Sequence, residues 1–318
     1  MDEENPILIT ASYDHTIKFW STVRPIWEPE RTFKTPEDQV VNRMKISKNK
    51  KMLACACSNG LKLYDIADSA NESQKAFFES PCNLTQLCYK YENDMIIATS
   101  EKGELALYDH RVNHKKLLAN INQNISALAL SANNADLYYG DESGNLYIFD
   151  MIADKTRITL SPTPDVGIRT IAVSPNGTLV TACNSAGWCI TWGLKNSELQ
   201  AKQKIQAHED YILQSAVSDN AKYLATCSAD RTIKLWNISD QGELKQHKIL
   251  YGHTKWVWDC SFICDSSHII TVSTDHFLKV WNCKEGVTKK SACHHKQGII
   301  CMALNDYPSS YYQQYQQQ

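Results

Sequence analysis

No apolar run in the 318-residue chain approaches the roughly 20 residues that a membrane span requires. The opening stretch, MDEENPILITASYDH, has no basic leader and no apolar stretch, so no signal peptide is read and a cytosolic or nuclear setting is expected. Charge of either sign is not in excess. Lys and Arg number 33 against 35 Asp and Glu, which leaves no basic surface for tracking nucleic-acid phosphates. Glycine and proline are scarce, 12 and 9 residues, and fall mainly between apolar runs, as in Ser174-Pro175-Asn176-Gly177. There is no Gly-rich phosphate loop, no His-Glu-x-x-His and no Gly-x-Ser-x-Gly. No catalytic residue, metal site or cofactor is therefore expected. Helical periodicity is absent from every long window. Cysteine is the exception to this scarcity, with twelve residues. The closest pairs, Cys55/Cys57 and Cys260/Cys264, lack a second pair at zinc-ligand spacing, so the cysteines are read as small buried hydrophobes on strands.

What is present is a repeat. LATCSADRTIKLW, ending at Trp236, has kin in ITASYDHTIKFW (Trp20), ACACSNGLKLYD (Tyr64), ATSEKGELALYD (Tyr108), YYGDESGNLYIFD (Phe149), TACNSAGWCITW (Trp192) and TVSTDHFLKVW (Trp281). The anchoring aromatics stand 44, 44, 41, 43, 44 and 45 residues apart, the period of a WD repeat. A literal Trp-Asp pair is missing throughout; aromatic-Asp survives at Tyr64-Asp65, Tyr108-Asp109 and Phe149-Asp150. Each unit reads as four short strands, so seven units predict an all-β, seven-bladed WD-repeat propeller over residues 1–308. The chain begins inside a unit, with Ile7–Ser12 and Thr16–Trp20 as second and third strands. The missing first strand is expected near the other end, in Gly298-Ile-Ile-Cys-Met-Ala-Leu304, so one blade is closed from both ends. Residues 309–318, SSYYQQYQQQ, lie outside the period and read as a disordered tail.

Three units carry a histidine, a serine and an aspartate at fixed offsets from tryptophan. They are His208, Ser228, Asp230 and Trp236; His253, Ser273, Asp275 and Trp281; and His295, Ser12, Asp14 and Trp20. These are the residue types of a hydrolase triad. A catalytic site does not recur three times around a ring, whereas a structural hydrogen-bond network does. In the other units Lys102, Ser143, Ala186 and Ser58 stand at the aspartate position, so those blades are expected to be held mainly by packing. The remaining histidines are scattered and read as surface.

ILITASYDHTIKFW, LATCSADRTIKLW, KWVWDCSF, PDVGIRTIAVSP, LYYGDESGNLYIFD and the closing IICMALND resemble the small WD-repeat, G-protein-β-subunit-like subunit of TOR kinase complexes, over roughly residues 6–306. Neither a long N-terminal helix, as in a heterotrimeric G-protein β subunit, nor an F-box is expected before the first blade. The Lys48-Asn-Lys50-Lys51 stretch and the Gln-rich tail depart from the family pattern. The resemblance implies the His–Ser–Asp–Trp chain as a structural element. It also implies a non-catalytic scaffold that docks on the C-terminal lobe of the TOR kinase domain and stabilises it in both TOR complexes. Such a subunit would be cytoplasmic, reaching endomembranes through its complex, and would contact other TOR-complex subunits but no nucleic acid. Trp256 and Tyr211, three residues after His253 and His208, are the candidate contacts, with Trp258, Gln39 and Asn42 nearby. The alternative is a scaffold of a coat, nuclear-pore or ubiquitin-ligase adaptor assembly; a peptide reader of the central channel is a further class.

Overall fold

The structure is a computed structural model that describes residues 6–20, 27–36, 39–67, 73–90, 94–195 and 198–306. The predicted tail lies outside the described residues. Alternating residues such as Thr-Ile-Lys-Leu-Trp cannot bury both faces of a lone hairpin, so each four-stranded antiparallel sheet needs a neighbour on either side. Among the described residues there are seven such sheets and no helix. After the first blade, residues 41–79, 84–120, 125–160, 168–206, 212–250 and 257–292 form the second to seventh blades. The first has the strand order Ile299–Asn305, Ile7–Ser12, Thr16–Trp20, Pro29–Lys34. The predicted closure is therefore present, with Leu8 opposite Leu304 and Ile9 opposite Ala303.

Burial is greatest in the second strand of each blade and least at the outer rim. Second strands such as Asp136–Asp141 and Leu179–Asn184 are buried along their whole length, whereas the outer strand His114–Asn120 is largely exposed. The core is a set of apolar layers between blades. Ile9, Ile17 and Phe19 of the first blade meet Met44 and Leu53 of the second. Cys227 and Leu235 of the sixth blade meet Phe262 and Ile269 of the seventh. Nine of the twelve cysteines are buried, eight of them in these layers, all as free thiols, and burial pushes the Cys57 thiol up to about 12.

Every inner strand bulges after its first residue, leaving Asn42, Thr85, Ser126, Arg169, Leu213, Trp258 and Ile300 without a cross-strand partner. Bulges sharpen strand twist. The bulged ends bring polar side chains from neighbouring blades into contact around the axis. Arg43 Nη1 lies 2.9 Å from Asp259 Oδ2, both side chains almost wholly buried, and Arg43 Nε donates to Gln86 Oε1 at 3.0 Å. Gln86 donates to the Ser126 carbonyl, and the Ser126 hydroxyl to the Ile168 carbonyl. Thr170 donates to Gln214 Oε1, and Gln214 Nε2 to Asp259 Oδ1. Met302 N–H donates to Asp259 Oδ2 at 3.0 Å. All seven inner strands are thus joined in one polar circuit that meets at a single carboxylate.

Asp259→Ala leaves the Arg43 guanidinium buried without its counter-charge. It should lower stability by roughly 3–5 kcal/mol in urea denaturation. Combining it with Arg43→Met should recover much of that loss, and a single-mutant cost under about 1 kcal/mol would show that the circuit is dispensable.

Candidate partner-binding face

The loop before each inner strand and the turn between the second and third strands lie at the same end of the ring. One backbone bond joins them in every blade: the N–H groups of Tyr13, Ser58, Glu101, Glu142, Ser185, Ala229 and Thr274 donate to the carbonyls of Gly298, Val40, Asn83, Asn124, Gly167, Tyr211 and Trp256. Tyr211 and Trp256 therefore hold equivalent positions on adjacent blades.

In the first, sixth and seventh blades this end is braced by the His–Asp–Trp sets. Trp236 Nε1 donates to Thr226 Oγ1 at 3.0 Å, His208 Nε2 contacts the same hydroxyl at 2.8 Å, and His208 Nδ1 lies 2.7 Å from Asp230 Oδ2. Trp281, Thr271, His253 and Asp275 repeat this at 2.8, 2.9 and 2.8 Å. Trp20, Thr10, His295 and Asp14 repeat it at 2.8, 2.8 and 3.1 Å. The indole occupies a lone pair of the threonine, whose own O–H can then donate to Nε2. That arrangement puts the ring proton on Nδ1, facing the carboxylate.

The hydroxyl in the chain is thus threonine and not the serine expected from the sequence. Ser12, Ser228 and Ser273 sit two residues on, at the end of the strand, where each accepts the N–H of its aspartate and donates to a loop carbonyl (Gln297, Asp210 and Lys255). Physically, the side chain that meets the indole must lie beneath it on the second strand, and the serine, the last residue of that strand, lies past the indole and caps the turn. Thr10, Thr226 and Thr271 recur ten residues before their tryptophans, so the signal was present.

The carboxylates do a second job. In every blade but the second, the chain is left-handed at five residues before the aromatic. Where the aspartate is missing this position is Gly103, Gly144 or Gly187; where it is present it is His15, Arg231 or His276. A side chain there costs about 1–2 kcal/mol. Asp14, Asp230 and Asp275 hold the turn by accepting the N–H of Thr16, Thr232 and Phe277. Burial pushes the Asp275 pKa up, but the hydrogen bond and charge of His253 and two backbone N–H groups outweigh it and hold it down to about 2. Asp230 and Asp14 are likewise depressed, each against burial, by His208 and His295 respectively. Burial drives the His295 pKa down, against the pull of Asp14.

Above this bracing the face is aromatic. Tyr211 and Trp256 are 46% and 43% exposed, with ring centroids 6.5 Å apart edge to face. Trp258 is half-buried beside Trp256 at 6.0 Å, and its buried indole N–H finds no acceptor among the described residues. Tyr13, Tyr251 and Phe277, which sequence reading passed over, are also exposed in loops of this end. The signal for them was an apolar ring inside a turn. Exposed Val112, Ile152 and Val287 lie in turns at the opposite end, so among the described residues the exposed loop aromatics share one face and belong to three consecutive blades. Gln39 and Asn42 are used within the ring. Gln39 is buried with its amide oxygen accepting from Lys62, and Asn42 donates to Asn83 Oδ1 and the Leu84 carbonyl on the third blade.

Residues 2–21, 199–237 and 244–282 match the family model described as WD domain, G-beta repeat. Over 309 residues the chain is 32% identical to target of rapamycin complex subunit wat1 of Schizosaccharomyces pombe, spanning 96% of this chain and 97% of that protein. It is 33% identical over 306 residues to target of rapamycin complex subunit LST8 of Saccharomyces cerevisiae, with 94% and 99% covered. The LST8 of Mus musculus gives 33% over 313 residues, with 94% and 95% covered. The chain belongs to the LST8 family of target of rapamycin complex subunits. In this LST8-family ring the three segments matched by the repeat model each end one residue past Trp20, Trp236 or Trp281, in the three units with complete networks.

Thr271→Val strands the Trp281 and His253 nitrogens and should cost roughly 1–3 kcal/mol in chemical denaturation, whereas Ser273→Ala should cost about 1 kcal/mol or less. The reverse order would reassign the network to serine. Acid should act first on the stitched blade. Unfolded histidine takes up a proton near pH 6.5, which folded His295 resists, so this contribution is full above that pH and declines as pH falls toward the lowered folded value. The three aspartates contribute fully above about pH 4 and lose their share as pH falls from there toward their depressed values. Hydrogen exchange of Ile299–Asn305, corrected for intrinsic rates, should therefore speed up between about pH 7 and pH 5. Unchanged protection over that interval would contradict the assignment.

Proposed function

We propose that this chain is a non-catalytic scaffold subunit that binds a TOR kinase through the aromatic face of its first, sixth and seventh blades and stabilises the kinase domain within TOR complexes. The observation that carries the reading is identity of 32–33% with subunits of such complexes over nearly the full length of both chains. Tyr211 and Trp256 supply the residue types that dominate interface energetics, each commonly contributing about 2 kcal/mol or more at the centre of a contact. Stabilisation then follows from mass action, because a ligand that binds only the ordered kinase lobe favours that lobe by RT ln(1 + [L]/Kd). The C-terminal lobe of the kinase domain is the expected seat, other complex subunits the expected neighbours, and the cytoplasm the expected location.

The networks support a structural role over a catalytic one. The hydroxyls that contact His208, His253 and His295 belong to Thr226, Thr271 and Thr10, none of which is exposed to solvent. No substrate carbonyl can reach them.

Affinity purification of the tagged chain from its native lysate should recover a TOR-sized kinase near stoichiometry. A Trp256→Ala/Tyr211→Ala double variant that retains its melting temperature should lose most of that recovery. Undiminished recovery would reject the face and keep the function; a different assembly in its place would reject the function.

A further inference from the structure

The fifth blade keeps its anchoring aromatic, Trp192, but none of the partners that bind the equivalent indoles elsewhere. Ala182 replaces the threonine, Ala186 the aspartate, and Pro164 stands at the histidine position. Trp192 Nε1 has no hydrogen-bond partner among the described residues, yet it is not one of the fully enclosed polar atoms. A cavity of about 420 Å³ opens beside it on the outer flank between the fourth and fifth blades. Leu160, Pro162 and Ile190 supply its apolar wall, with Lys202 and Lys204 along the rim.

The rim lies on the outer hairpin of the fifth blade. Its third and fourth strands, Trp188–Lys195 and Glu198–Gln206, run 8 and 9 residues. A bulge between Thr191 and Trp192 leaves Lys202 without a cross-strand partner, and Lys204 lies opposite Ile190. The Lys204 ammonium sits 5.2 Å from the Trp188 ring centroid. Neither lysine forms a salt bridge among the described residues. The cleft therefore combines an apolar slot, an unclaimed indole N–H and two cations without a carboxylate partner.

We propose that this cleft is a second docking site, separate from the aromatic face, for an acidic linear segment of a partner protein. A bulky aliphatic or aromatic side chain would enter between Leu160 and Ile190, and flanking carboxylates would meet Lys202, Lys204 and Trp192 Nε1. Charge complementarity selects the occupant. A neutral apolar ligand leaves the lysines unused, and a basic one is repelled. The aromatic face lies on the sixth, seventh and first blades, so both sites can be filled together.

The test uses the full chain and a fluorescein-labelled peptide of sequence Glu-Leu-Asp-Phe-Glu. Fluorescence polarisation should show saturable binding that weakens roughly tenfold or more in Lys202→Glu/Lys204→Glu and as salt is raised. Hydrogen exchange should show peptide-dependent protection in Glu198–Gln206. Trp192→Phe keeps the ring and removes the donor, and should weaken binding less than the double charge reversal. Lys-Leu-Lys-Phe-Lys should not bind. The proposal fails if the acidic peptide does not bind, if the basic peptide binds equally, or if a folded double variant binds unchanged. Retention of the kinase by Lys202→Glu/Lys204→Glu is expected, since that contact uses other blades.

Discussion

Asp259 accepts hydrogen bonds from three other inner strands at once: from Gln214 on the sixth blade, from Met302 on the strand that closes the ring, and from Arg43 on the second blade. A propeller has no central core, only layers between neighbours, so an error in closure is felt by every layer. The Asp259 carboxylate spans the place where the two ends of the described chain are stitched together and ties the closing strand to blades on both sides of it. Its desolvation is tolerable only because every acceptor position has a donor, and the same burial makes removal of one partner costly.

Blades six, seven and one share a construction absent from the other four. A tryptophan, a threonine, a histidine and an aspartate tie third strand, second strand, loop and turn together, and the aspartate also secures a left-handed residue that is glycine in the third, fourth and fifth blades. The same three blades present Tyr13, Tyr211, Tyr251, Trp256 and Phe277 to solvent. Loops braced from below lose little conformational freedom on docking, which leaves more of the aromatic burial to appear as affinity. The second to fifth blades rely on packing instead, with stacked Tyr139 and Tyr147 and a buried Asp141 bound to Asn145 and Tyr147 in the fourth.

The seven-bladed ring and the stitched blade could be read from the spacing of the aromatics, and the strands Ile7–Ser12 and Thr16–Trp20 have the bounds expected for them. Period and alternation are local properties and survive without a structure. The hydroxyl of the network was misread because serine and threonine both recur at constant offsets on the same strand, and only the strand register separates the one under the indole from the one at the strand's end. Gln39 and Asn42 looked like surface groups because their internal partners, Lys62 and Asn83, are 23 and 41 residues away. The Asp259 circuit was invisible for the same reason. Its members share no motif, being an arginine, two glutamines, a threonine, a serine and an aspartate brought together by bulges that no pattern announces.

A ring of seven similar blades poses a problem that a less regular fold does not. Rotating it by one blade gives nearly the same outline, so a partner reading shape alone could dock in several angular settings. Concentrating the exposed loop rings of the described residues on three consecutive blades, and leaving Gly298, Val40, Asn83, Asn124 and Gly167 at the positions equivalent to Tyr211 and Trp256 in the other five loops that precede an inner strand, removes that ambiguity. The irregular chemistry laid over a regular scaffold acts as an index mark, and whatever binds the ring must find it at one angle only.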